Sequence, residues 1–97
     1  MDEGKLKGLM GLCVRAGQGI FGEENCLKAL RNGQAALLLM DGEISDATAE
    51  KYQRACQRAE IPFRKTSAGF LQEATGKPGM AMAVRAGGFA ERMIQFI

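Results

Sequence analysis

Gly22-Glu23-Glu24-Asn25-Cys26-Leu27-Lys28 is the stretch in which residue type and spacing are best suited to chemistry. A glycine where a strand passes into a helix lets the backbone approach a partner, and the first helical turn presents free N–H groups and partial positive charge. Glu24, Asn25 and Lys28 stand three and four positions apart, so a helix places them on one face. That face offers an acceptor, a mixed donor–acceptor amide and a cation, a set that suits base edges beside a phosphate backbone. The plainer reading of the same residues is a solvated face with Glu24 and Lys28 paired.

Two further segments carry usable groups. Asp41-Gly42-Glu43 follows a long apolar run, and Glu43 offers an acceptor. The same three residues also read as a turn leading into a helix. Lys77-Pro78-Gly79, preceded by Gly76, is a tight exposed loop that offers open backbone and one cation. An ordinary turn is the simpler account. Lys5, Lys7, Arg15 and Arg31 are cations that would widen a basic rim near Lys28.

Other chemistries find little support. The chain contains no histidine, which removes the commonest general base and metal ligand and every Ser-His or Cys-His nucleophile pair. The expectation is a protein without catalytic, cofactor or metal sites. Cys13, Cys26 and Cys56 are odd in number and widely spaced, a pattern of buried thiols and not of disulfides or zinc. A reactive thiol is conceivable only at Cys26, beside a helix N-terminus. Gly17, Gly19 and Gly22 satisfy G-x-G-x-x-G, but no long buried strand precedes them, so the motif is discounted as a phosphate cradle. The six methionines read as core filling.

At 97 residues the chain is expected to form one domain over residues 1–97, with room for a surface site more than for a deep cavity. Hydrophobic residues make up 46%, which excludes a disordered chain. No apolar run approaches the roughly 20 residues needed to cross a bilayer. Met1-Asp2-Glu3-Gly4-Lys5 does not resemble a signal peptide, so no membrane association and a cytoplasmic location are expected. The net charge of +2 is too mild to point to nucleic acid by itself.

These residues must be positioned by elements legible from periodicity. Leu6, Leu9, Met10 and Cys13 fall at helical spacing, and that helix ends near Ala16-Gly17. Gln18 to Phe21 reads as extended, and Gly22 to Arg31 as a helix stopped by Asn32-Gly33. Ala35 to Met40 is a continuous apolar run, the mark of a strand covered on both faces. Ser45 or Asp46 caps a third helix to Ala59, with Ala49, Tyr52, Cys56 and Ala59 inward and Glu50 and Arg54 paired outside. Pro62 introduces a strand over Phe63 to Thr66. Ser67 is expected to cap a fourth helix ending at Gly76. Met80 to Val84 alternates as a strand with Met80, Met82 and Val84 on one face. A last helix over Phe89 to Phe96 places Phe89, Ala90, Met93 and Ile94 inward. Alternation of this kind predicts an α/β fold with helices on both faces of a sheet.

Together the residues resemble the bacterial YlxQ-type branch of the L-seven-Ae / L-thirty-e ribosomal-protein superfamily. The resemblance covers nearly the whole chain. It rests on Leu12-Cys13-Val14-Arg15-Ala16-Gly17, Gly22-Glu23-Glu24 with Lys28-Ala29-Leu30-Arg31, Ala35 to Asp41, Ile61-Pro62, Ala74-Thr75-Gly76-Lys77 and Gly88-Phe89-Ala90, in that order. The resemblance implies a three-layer α/β/α sandwich with a mixed four-stranded sheet, L-thirty-e-like. It further implies binding of kink-turn or other structured RNA, ribosomal or not, with the ribosome or translation proteins as surroundings and a monomer as the expected form. The family's RNA-contacting helix start reads Gly, any residue, Asn, Glu, two residues, Lys. Here Gly22 and Lys28 match, and the middle pair is reversed to Glu24-Asn25. On this resemblance the RNA-contacting set is Gly22, Glu23, Glu24, Asn25, Lys28, Arg31, Glu43, Lys77, Pro78 and Gly79, the last three closing over a flipped-out nucleotide. The mild charge and the reversed pair leave an alternative: a protein-interaction module of the same fold that has lost RNA binding.

Overall fold

In the computed structural model, which describes residues 2–97, the elements follow the order α1 (Glu3–Arg15), β1 (Gly19–Phe21), α2 (Glu23–Arg31), β2 (Ala35–Met40), α3 (Asp46–Ala59), β3 (Phe63–Lys65), α4 (Phe70–Thr75), β4 (Ala81–Arg85) and α5 (Gly88–Ile94). The sheet order is β1-β4-β2-β3. β4 runs antiparallel to both its neighbours, and β2 runs parallel to β3, so the sheet is mixed.

Two cores flank the sheet. Leu38, Met40, Ala81 and Ala83 face α2 and α3, where they meet Cys26, Leu27, Leu30, Ala49, Tyr52 and Cys56. Leu37, Leu39, Met82 and Val84 face the other way, against Leu6, Met10 and Cys13 of α1, Phe70 and Leu71 of α4 and Ala90 and Met93 of α5. The expected α/β/α sandwich is therefore present, and the uninterrupted apolar run of β2 reflects a strand buried on both sides. An irregular register between Ala35 and Leu37 sets Ala36 and Leu37 against the same core. Leu37, Leu38 and Leu39 have no solvent exposure, so truncating any of them to alanine removes roughly 2–5 kcal/mol of stability.

Helix ends follow the sequence signals in most places. Asp2 accepts from the Lys5 N–H at the start of α1, and Ser45 accepts from the Thr48 N–H at the start of α3. Ser67 departs from expectation. Its N–H donates to Glu3 Oε2 at 2.9 Å and its hydroxyl donates to Glu3 Oε1 at 2.8 Å, so it joins α1 to the segment after β3. α4 starts later, behind Gly69 at φ 77°. Three placements also differ: the start of the fourth strand and two inward helix positions. Met80 lies before the first paired residue of β4 and is 46% exposed. Ala59 and Ile94 sit in the last turns of their helices, beyond the reach of the sheet, and are exposed. Ala55 packs against the core beside Cys56 where Ala59 was expected.

Candidate nucleic-acid interface

Strand direction gathers the candidate segments. Phe21 at the end of β1 pairs with Met82, Met40 at the end of β2 pairs with Ala81, and Lys65 at the end of β3 pairs with Met40. β1, β2 and β3 thus end at the edge of the sheet where β4 begins. Gly22, Asp41–Glu43 and Lys77–Gly79 leave or enter the sheet at that edge, and the loop before β4 lies between the other two.

At the first segment Gly22 takes φ 92°, a conformation that side chains disfavour, and serves as the N-cap of α2. Among the described residues no side chain caps this helix start. Asn25 instead folds back across the turn, its Nδ2 donating to the Phe21 carbonyl at 3.1 Å. One amide N–H is therefore used inside the protein, and the amide oxygen remains to accept. Glu23 turns toward α3, where its carboxylate meets Lys51 Nζ at 3.4 Å. Glu24 is exposed and forms no ion pair among the described residues, so the expected Glu24–Lys28 pair is not made. Lys28 and Asn25 together line a shallow depression of about 370 Å³ with Gly19, Ile20, Phe21, Gln34 and Arg85.

Cys26, the one thiol considered for reactivity, is fully buried, and its Sγ lies 3.2 Å from the Ile20 carbonyl as donor. Burial raises its pKa above the ordinary thiol value, which outweighs the helix terminus and disfavours the thiolate. Burial likewise pushes the Cys13 and Cys56 thiols up to about 11.

At the second segment Asp41 is buried, and its Oδ1 accepts from the Glu43 N–H at 2.9 Å and the Gly69 N–H at 3.1 Å. The Asp41 N–H donates to the Met80 carbonyl at 2.7 Å, tying this loop to the one before β4. A Cβ on Gly42 would stand 2.6 Å from the Thr66 carbonyl oxygen and 2.8 Å from the Ala68 nitrogen. Glu43 is held at the surface by these contacts, with its carboxylate exposed. Turn and exposed acceptor, the two readings of this segment, therefore coexist in the same three residues.

At the third segment Lys77 Nζ lies 5.4 Å from the centre of the Phe21 ring, which joins the loop to the end of β1. Its N–H donates to Thr75 Oγ1 at 3.1 Å. Gly76, Lys77, Pro78, Gly79 and Met80 are all exposed.

Not every candidate joins this edge. Arg31 lies two turns along α2 and lines a separate depression with Lys51, Arg54 and Arg58. Lys5, Lys7 and Arg15 belong to α1, in the opposite layer. Lys5 pairs with Asp2 and Lys7 with Glu73, so neither widens the rim of Lys28. Conversely, Gln34 lines the depression beside Lys28 without having been singled out in the sequence; Arg85, read there only as a strand-end cation, lines it too, and Met80 is exposed beside the third segment. Arg85 is the last residue of β4 and comes near Lys28 only through the fold, whereas Gln34 follows the C-terminal turn of α2, six residues after Lys28. For Met80 the available signal was its place directly after Pro78-Gly79.

Among the described residues no three of His, Cys, Asp and Glu are grouped to hold a metal ion, and no helix is long and apolar enough to cross a membrane.

Known proteins agree with this architecture. No family model matches the chain. The RNA-binding protein YlxQ of Bacillus subtilis (strain 168) is 33% identical over 91 residues, covering 92% of this chain and 91% of that protein. The RNA-binding protein YlxQ of Enterococcus faecium is 31% identical, covering 100% and 98%. A protein of unknown function from Bacillus halodurans superposes with a TM-score of 0.88 at 30% identity, over 94% of each chain. The Giardia lamblia 15.5kD RNA binding protein superposes with a TM-score of 0.75 over 94% of this chain and 79% of that one, at 15% identity, a likeness of fold alone. With two curated relatives above 30% identity along nearly their whole length, this chain belongs to the YlxQ family.

Proposed function

We propose that this chain is a small RNA-binding protein that recognises a kinked or otherwise structured RNA, ribosomal or free, through the sheet edge bearing Gly22, Glu43 and Lys77–Gly79. The observation that carries the reading is the convergence of those three segments on one edge, from which α2 runs and carries Asn25 and Lys28 along its flank. The names of the two curated relatives support RNA as the partner. The protein works by binding and not by catalysis, as a cytoplasmic monomer near the ribosome or translation proteins.

Each residue then has a task. The Gly22 turn brings backbone close to the nucleic acid. Glu24 accepts from base amino groups, since a carboxylate has no donor of its own. Asn25, with one N–H held by Phe21, offers its oxygen and its second N–H. Lys28 meets a base acceptor or a phosphate, and Glu43 a ribose or base donor. The Lys77-Pro78-Gly79 loop and Met80 cover a base extruded from the helix. Glu23, held by Lys51, positions α2 and reads no base. Arg31 lies outside this set.

Titration with a kink-turn RNA and a matched straight duplex, at two salt concentrations, tests the reading. Tight binding to the kinked RNA over the duplex is expected. Equal binding to both that salt abolishes would reduce the interaction to diffuse electrostatics. One observation favours a protein-interaction module instead: Glu24 and Glu43 place two exposed carboxylates without ion pairs among the described residues at the same edge, which suits a cationic protein surface. Co-purification with a protein that survives nuclease and high salt would establish that alternative.

A further inference from the structure

The outer faces of α2 and α3 form a second basic feature, away from the sheet edge. Arg31, Lys51, Arg54 and Arg58 line a depression of about 300 Å³ floored by Ala55 and Ala59, with no acidic residue in its wall. Two of the cations are partly neutralised: Lys51 meets Glu23, and Arg54 meets Glu50 one turn earlier. Arg31 and Arg58 have no ion pair among the described residues. Four cations against those two carboxylates leave an excess of two, equal to the net charge of the entire chain, +2. The mild overall charge therefore hides a local concentration.

The chemistry of the depression suits phosphodiester backbone and not base reading. Its alanines add little bulk, so an incoming strand can come close. Guanidinium forks hold phosphate oxygens in pairs, and three of the four cations are arginines. No aromatic side chain lines it to stack a base. Arg31 is seven residues from Glu24 along the same helix, about 10 Å, far enough to touch a different part of the same RNA.

We infer that the α2–α3 depression is a second RNA contact, which takes the sugar–phosphate backbone of a stem flanking the structured core. The inference rests on the RNA-binding reading above and assigns Arg31 and Arg58 a role separate from that of Lys28. The sheet edge selects shape, and the depression grips whichever sequence continues beside it. Its contribution is electrostatic, salt-sensitive and dependent on stem length.

The test uses two RNAs with the same kink-turn core, one with minimal flanking stems and one with stems extended by about a helical turn. The parent chain is expected to bind the extended RNA more tightly. The doubly substituted Arg31→Gln/Arg58→Gln protein should lose that gain, with the slope of log K against log salt falling by about one per arginine on the extended RNA alone. Lys28→Ala should weaken both RNAs alike. Arg15→Gln/Arg92→Gln makes the same charge change on α1 and α5 and should leave the difference between the RNAs intact. The inference is overturned if the Arg31/Arg58 variant matches the parent on the extended RNA, or if the control pair loses as much. If the parent binds neither RNA, the functional reading itself fails and the inference falls with it. Binding of both RNAs with no gain from the longer stems removes the inference alone.

Discussion

Two loops meet at the same edge of the sheet and are built in opposite ways. Asp41–Glu43 is locked: a buried carboxylate accepts two backbone N–H groups, and Gly42 has backbone within 2.8 Å of where a Cβ would be. Lys77–Met80 is open: every residue is exposed, and a Cβ on Gly79 would meet nothing within 4 Å. The two are joined by one hydrogen bond, from the Asp41 N–H to the Met80 carbonyl. For the proposed RNA contact, the locked loop would serve as a fixed reference and the open one as an adaptable cover.

Substitutions can break the contrast. Gly42→Ala should have the largest effect, about 2–4 kcal/mol of lost stability, because backbone and not a flexible side chain must give way. Urea denaturation measures it, and a wild-type midpoint would mean the loop is less locked than its geometry. Asp41→Ala leaves two N–H groups without their acceptor, at a cost of about 2–3 kcal/mol in the same assay. A smaller, functional effect is expected from Lys28→Ala, which weakens RNA binding by about 1–3 kcal/mol if the ammonium meets a base, with stability changed by less than about 0.5 kcal/mol. Unchanged affinity would remove Lys28 from the interface. Met80→Ala sharpens the comparison from the open side: stability should hold within about 0.5 kcal/mol, and affinity for an RNA with an extruded base should fall by on the order of 1 kcal/mol. A loss of stability in that variant would place the Met80 side chain in the core.

Much of the architecture was legible because buried strands and amphipathic helices write periodicity into the chain. β2 reads directly from its six apolar residues, and α3 from Ser45 through its inward Ala49, Tyr52 and Cys56. The errors fall where a tertiary partner competes with a local signal. Ser67 has the type and place of a helix cap, yet the Glu3 carboxylate, 64 positions away, takes both its donors. Met80 keeps the alternation of β4 but stands beyond the last strand neighbour that would cover it. At the candidate interface the Gly22 turn and the exposed Lys28 were legible. The turn of Asn25 onto Phe21, the salt bridge that holds Glu23 and the approach of Arg85 were not, because each depends on elements distant in sequence or on a rotamer.

The strand order carries a consequence for how the protein is made. β4 is the last strand to leave the ribosome, yet it lies between the first and the second. Among the described residues β1 has no other partner in the sheet, so the Gly22 turn has no fixed platform until Ala81–Arg85 has been synthesised. The candidate interface is thus assembled in one late step by contacts distant in sequence, which makes a nascent chain short of residue 81 a carrier of Lys28 without the surface that aims it.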